Sequence, residues 1–129
     1  MVIDSSALVA FATKEPQARA INDAIADASL RRVAAPTWFE TSMVLRSARF
    51  SLGPSEIDGL RDSLGLQVSA FTAEHADVAR DAWERFGKGR HPARLNFGDC
   101  IAYAVAKVAG EPLLYVGDDF TKTDIESAL

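Results

Sequence analysis

A single cysteine, Cys100, stands in a chain of 129 residues. That excludes an internal disulfide framework and any zinc site built from several thiolates. It suits a reducing compartment, and the cytoplasm is the expected location. Histidine is nearly as scarce. His75 and His91 lie far apart and lack the spacing of paired metal ligands, so neither is a catalytic candidate. No apolar run approaches the roughly 18–20 residues that span a bilayer. The opening stretch MVIDSSALVAFATKE has an acid at position 4 and no basic n-region, so it reads as the start of the domain rather than as a signal peptide. Positive charge is not in excess either. A net charge of −4 argues against the broadly basic surface of proteins that bind nucleic acid regardless of sequence. It leaves room for a local basic patch beside a metal-dependent site. Repeats, low-complexity tracts and linkers are also missing, and a single domain, 1–129, is expected.

What is present is an alternation of short β-like and longer helical patterns. MVI is a strand ending at Asp4, and SSALVAFAT a helix. A second helix, about Gln17 to Ser29, carries Ala18, Ile21, Ala24, Ile25 and Ala28 at helical spacing, with Pro16 near its start. RRVAAP is a strand stopped by Pro36. Thr37 is then expected to cap a helix from about Trp38 to Phe50, forming a capping box with Glu40. A turn at Gly53-Pro54-Ser55 leads into a helix from Ser55. LQVSAF is a strand, and Thr72 opens a long helix with Asp81/Arg85 and Glu84/Lys88 pairs. The segment Leu95–Gly110 is a strongly apolar helix. PLLYVG is the last strand, and a short C-terminal helix is expected after it. This order implies an α/β fold: a mainly parallel sheet with helices on both faces, a three-layer α/β/α sandwich.

In such sheets, ligands bind outside the carboxyl ends of the strands. Asp4 follows the first strand, and Asp118 and Asp119 follow the last. Glu40 lies near the start of the helix after the second strand, and Asp99 near the start of the apolar helix. All are expected at one edge. Carboxylates without basic partners repel and raise one another's pKa values. A hard divalent cation relieves this, and an oxygen-only set points to Mg2+ or Mn2+ rather than zinc. Phosphodiester hydrolysis is the chemistry such a cluster suits best.

Each acid also has a purely structural explanation. Asp4 is placed to cap a helix, Glu40 and Asp99 to complete capping boxes with Thr37 and Asn96, and Asp118 and Asp119 to make a turn. The combination is better evidence than any member. A basic loop containing Lys88, Arg90, His91 and Arg94 immediately precedes Asp99. Lys88, Arg90 and Arg94 are candidates for holding a phosphate backbone. Ser6, two residues after Asp4, is a candidate support for the metal or its water.

The segments MVIDSSALVA, WFETSMVL, GKGRHPARLNFGDCIAYAVAK and EPLLYVGDDFTKTDI together resemble the PIN-domain ribonucleases, and in particular the VapC toxins of toxin–antitoxin systems. The resemblance covers essentially the whole chain. It implies an acidic pocket that binds Mg2+ or Mn2+ and cleaves RNA. The family's three central acids fall on Asp4, Glu40 and Asp99. Its fourth falls on Asp119, which precedes Phe120 as the pattern requires, with Asp118 as the alternative. The family hydroxyl falls on Ser6. The resemblance also implies a homodimer and a VapB-like antitoxin partner, with no membrane association.

Three rival readings fit the sequence less well. A receiver-like phosphoacceptor domain wants a lysine directly after the last strand, where this chain has Gly117-Asp118-Asp119 and no lysine before Lys122. A dehalogenase-type phosphatase wants Asp-x-Asp after the first strand, where this chain has Asp4-Ser5-Ser6. A non-catalytic antitoxin-binding module has no need to retain all four acids.

Overall fold

The computed structural model describes residues 1–129. The elements, in chain order, are β1 (Val2–Ile3), α1 (Ser5–Ala12), α2 (Ala18–Asp27), β2 (Arg32–Ala34), α3 (Ala35–Arg46), α4 (Pro54–Ser63), β3 (Gln67–Ser69), α5 (Ala73–Phe86), α6 (Phe97–Ala109) and β4 (Leu113–Leu114). The four strands form one parallel sheet in the order β3-β2-β1-β4. No helix is long and apolar enough to cross a membrane.

The strands are short, yet their alternation divides two cores. Successive strand residues point to opposite faces. Val2 and Leu113 join Leu95, Ile101, Tyr103, Val105 and Phe120 on the α5/α6 side. Ile3, Val33 and Leu114 join Leu8, Ile21, Ile25 and Leu64 on the other. Each such side chain, fully withdrawn from water, contributes about 1.5–3 kcal/mol. The result is the expected α/β/α sandwich. The chain runs outward from β1 through β2 to β3, then returns across to place β4 on the other side of β1. The topological switch therefore lies at β1, where an open parallel sheet leaves a crevice at its carboxyl edge.

Helix boundaries follow local chemistry where it is strong. Asp4 caps α1. Asn96 and Asp99 form a reciprocal capping box at the start of α6, and Gly110, at φ 63°, closes its other end. Thr72 and His75 cap α5, the ring Nδ1 accepting from the Thr72 N–H at 2.9 Å. The Arg85–Asp81 pair forms at 3.2 Å. The Glu84/Lys88 pair does not, because α5 ends at Phe86 and Lys88 has left the helix.

Several expectations fail. The helix expected from Trp38 begins at Ala35, with Pro36 in its first turn and Ala34 at the N-cap position. Pro36 starts the helix instead of merely stopping the strand, because its fixed φ and missing N–H suit that turn. Thr37 is therefore inside the helix and buried, not a cap, and the box with Glu40 does not exist. α4 likewise starts at Pro54, one residue early.

The expected C-terminal helix is also absent. Residues 118–129 run as turns and extended chain beside β4, with Leu113 N–H donating to Glu126 O and Ala128 N–H to Leu113 O, both at 2.9 Å. The Thr121 and Thr123 hydroxyls donate to the carbonyls of Asp118 and Phe120, at 2.7 Å each. Such local bonds compete with helix, and the open edge of β4 gives the tail a better partner.

Asp124 fastens this tail to the helices. It accepts from Tyr103 Oη at 2.6 Å and pairs with Lys107 at 3.1 Å and Arg85 at 3.3 Å. Despite partial burial, these donors hold its carboxyl down at about 2. Tyr103→Phe is expected to cost about 1 kcal/mol, discounted for the half-exposed partner. In thermal unfolding this reads as a fall in Tm of roughly 3–6 °C.

Candidate active site

Asp4 leaves β1 at the carboxyl edge and is buried, only 3% exposed. Its Oδ2 accepts from the Ser6 N–H at 3.0 Å and from Ser6 Oγ at 2.6 Å. Ser6 Oγ in turn accepts from the Val116 N–H at 3.1 Å. One hydroxyl thus ties the ends of β1 and β4 together and fixes the orientation of Asp4. Glu40 comes from α3, which packs against both α1 and α6 and so carries this carboxylate between the other two. Released from any cap, Glu40 approaches Gly98 closely. A Cβ added at Gly98 would lie 2.8 Å from both Glu40 carboxylate oxygens. Asp99 uses Oδ2 for the Asn96 N–H at 2.8 Å, leaving Oδ1 uncommitted.

The electrostatics show that these acids share one field. Burial is the main cause of the raised pKa of Asp4, opposed by bonds from Ser6 and Ser5 and reinforced by the charge of Asp119. Glu40 is raised by burial and by Asp4, against a hydrogen bond with Ser5. Asp99 is pushed up to about 6, chiefly by burial and against the hydrogen bond from the Asn96 N–H, with the charges of Asp4, Asp119 and Glu40 adding repulsion. No basic group is ion-paired with any of the four: every salt bridge in the molecule engages Glu111, Asp62, Asp77, Asp81 or Asp124.

A cleft of about 380 Å3 opens over Asp99, Asp118 and Asp119, with Lys88, Arg94 and Lys122 on its walls. Both candidates for the fourth acid therefore reach the cleft, but the charge felt by Asp4 and Asp99 is that of Asp119. Of the three basic candidates, Lys88 and Arg94 reach it. Arg90 does not. Its guanidinium sits 4.0 Å from the centre of the Trp83 ring, and it lines a separate shallow depression with Lys88 and Arg94. Lys122 was overlooked; its place three residues after Asp119 was the available signal. Gly98, beside Asp99 in sequence, was overlooked too, since nothing local shows that Glu40 would approach it. The histidines are structural: His75 caps α5, and His91 accepts from the Ala93 N–H and packs edge-on against Phe86.

The donor set suits a hard divalent cation. It is all oxygen, it repels itself, and no basic side chain is ion-paired with it. No three Asp, Glu, His or Cys side chains are spaced as a ready-made cage.

Fold and site together define an α/β/α protein with a carboxylate cleft at its topological switch point. The PIN domain family model matches residues 1–126, and the chain belongs to that family. It is 45% identical over 125 residues to a protein named Ribonuclease VapC from Mycolicibacterium smegmatis, covering 97% of each chain. It is also 45% identical to Ribonuclease VapC36 of Mycobacterium tuberculosis, over 98% of this chain and 91% of that one. The crystal structure of M. tuberculosis VapC20, described as a sarcin–ricin loop cleaving toxin, superposes with a TM-score of 0.73 at 20% identity, covering 96% of this chain and 95% of that one. That last likeness is one of fold. Family membership removes the receiver-like and dehalogenase-like alternatives.

Proposed function

We propose that this protein is a divalent-metal-dependent endoribonuclease and the toxin of a type II toxin–antitoxin pair. The observation that carries the reading is the convergence of Asp4, Glu40, Asp99 and Asp119 at the sheet's carboxyl edge without a basic partner. Near-full-length identity to proteins named ribonuclease VapC supports RNA as the substrate.

In this reading Asp4 and Asp99 hold Mg2+ or Mn2+, and Glu40 and Asp119 complete the pocket and orient the attacking water. The bound ion supplies a lowered water pKa and charge neutralisation on the phosphate. Ser6 keeps Asp4 in one rotamer by donating to Oδ2. The Asn96 N–H does the same for Asp99, so ligand orientation is set before substrate arrives. Lys88, Arg94 and Lys122 hold the phosphate backbone over the cleft. Asp118, which lines the cleft beside Asp119, is a supporting acid of the same site.

The partners of this reading are the RNA substrate, a VapB-like antitoxin and a second copy of the chain, and its place of action is the cytoplasm. A homodimer is supported by Phe39 (67% exposed), Met43 (58%) and Val44 (37%) on α3, large apolar side chains that a lone monomer leaves in water.

The test is incubation of purified protein with single-stranded and structured RNAs in Mg2+, in Mn2+ and in EDTA. Internal cleavage that needs the divalent ion is the expected result. Cleavage that survives EDTA, or no cleavage of any RNA with either metal, contradicts the proposal.

A further inference from the structure

A second concavity adjoins the carboxylate cleft. It is a groove of about 550 Å3 between α5 and the start of α6, walled by Phe71, Trp83 and Phe97 and floored by Cys100 and Ile101. Such a volume falls within the roughly 300–1,000 Å3 of small-ligand sites. Its aromatic walls are wet: Trp83 is 42% and Phe97 83% exposed. The carboxylate chemistry makes no use of either ring. We propose that this groove is a stacking subsite for one unpaired base of a single-stranded RNA, next to the nucleotide whose phosphate lies over the carboxylates. The inference rests on the ribonuclease reading and specifies its substrate.

Continuity is the first support. Lys88 and Asn96 line both the groove and the acidic cleft. Consecutive residues of α6 divide the two spaces, Asp99 facing the cleft and Cys100 the groove. A chain crossing the cleft at Asp99 meets the groove one step further on, with Lys88 between them to hold the linking phosphate.

Charge is the second. The groove is apolar within, but Arg80 and Lys88 stand on its lining. Arg80 is barely engaged, 3.9 Å from Asp77. An aromatic wall with cations at the edge matches a base attached to a phosphate, which stacks by its face and is held by its charge. An apolar peptide would account for the rings but not for the cations or for the opening into the acidic cleft.

The third support is rigidity. Arg90 lies over the Trp83 ring at 4.0 Å. Gly87 packs so closely on the same residue that an added Cβ would sit 2.6 Å from ring atom Cδ1. Trp83 is thus held in place as a platform. Bases inside a duplex are already stacked on both faces, so such a platform selects an unstacked base and disfavours helical RNA.

The experiment uses the full chain, wild type, Trp83→Leu and Phe97→Ala, with a short single-stranded RNA that the wild type binds. A companion series replaces one nucleotide at a time by an abasic residue. Binding is followed by anisotropy in EDTA and cleavage in Mg2+. One abasic position is expected to weaken wild-type binding and kcat/KM by about 5- to 100-fold. Trp83→Leu should show a loss of the same order and be indifferent to that position, as expected of two changes removing one contact. Both side chains are exposed, so Tm should hold. Should Trp83→Leu unfold, Phe97→Ala carries the comparison.

If the variants bind and cleave as wild type and no abasic position matters, the groove is not a base site, while the ribonuclease reading stands. If no RNA is cleaved with any metal, that reading fails. The anisotropy arm, run on the same series, then still decides the groove. Loss of self-association or of antitoxin binding in Trp83→Leu, with RNA affinity intact, assigns the groove to a protein and overturns the proposal.

Discussion

Asp99→Asn is expected to lower kcat/KM for RNA cleavage by at least about 10²–10³-fold, while raising the melting temperature of the metal-free protein. The two effects have one cause. Asp99 lies where burial and the charges of Asp4, Asp119 and Glu40 all oppose ionisation, and its carboxyl is pushed from 3.8 up to about 6. The folded protein therefore binds this proton more tightly than the unfolded chain does. Between those two pKa values the folded state holds more protons, so stability falls as pH rises from about 4 to about 6, and the full penalty persists above that. The amide of the variant carries no charge and can still accept from the Asn96 N–H, so the cap of α6 survives. In EDTA at pH 7.5, Tm should rise by roughly 2–5 °C, and this residue's contribution to the decline of Tm with pH should vanish. Unchanged activity, or a Tm that falls, would show that Asp99 is a helix cap and nothing more.

Gly98→Ala should reduce cleavage by about 10–100-fold, the range found when the support of a metal site is disturbed, with no loss of stability. The new Cβ would meet both Glu40 oxygens at 2.8 Å and its Cδ at 3.1 Å. The Glu40 carboxylate, at the end of a flexible side chain, must therefore swing away from the site. Backbone strain is not introduced, because Gly98 lies within α6 and is not among the glycines with positive φ. Alanine is the better helix former by up to about 1 kcal/mol, so the melting temperature should stay level or rise. A variant that unfolds early, or one with full activity, would mean that the position of Glu40 is not set by α6.

How much of this was legible in the chain depends on whether the cause was local. The capping box of Asn96 and Asp99, the Thr72 cap and the helical spacing of Ile21 and Ile25 are short-range features, and the structure has them. The α/β/α layering followed from the order of strands and helices. The edge at which Asp4, Asp99 and Asp119 gather followed from the rule for parallel sheets. Errors arose where one local signal had two physical uses. Pro36 can stop a strand or start a helix, and Ala34 with an extended backbone served as the cap position that Thr37 was expected to fill. The tail from Asp118 onward lost its helix to an open strand edge that only the assembled sheet reveals. Lys122 in the cleft, Gly98 against Glu40, and the aromatic groove depend on which helices meet. That is tertiary information, and no window of sequence contains it.

The central claim is that four mutually repelling carboxylates form one divalent-cation site, and the most direct measurement is Mg2+ binding to the RNA-free protein by titration calorimetry near pH 6. At that pH Asp99 is about half protonated on the value near 6, and an ion can occupy the site only by displacing that proton. The account predicts saturable binding by the wild type with a heat that varies with the ionisation enthalpy of the buffer. In Asp99→Asn the account predicts much weaker binding with a smaller buffer dependence, since Asp4 and Glu40 remain the only carboxyl groups whose pKa is raised. Equal Mg2+ binding by the two proteins, or no binding by the wild type, would contradict it.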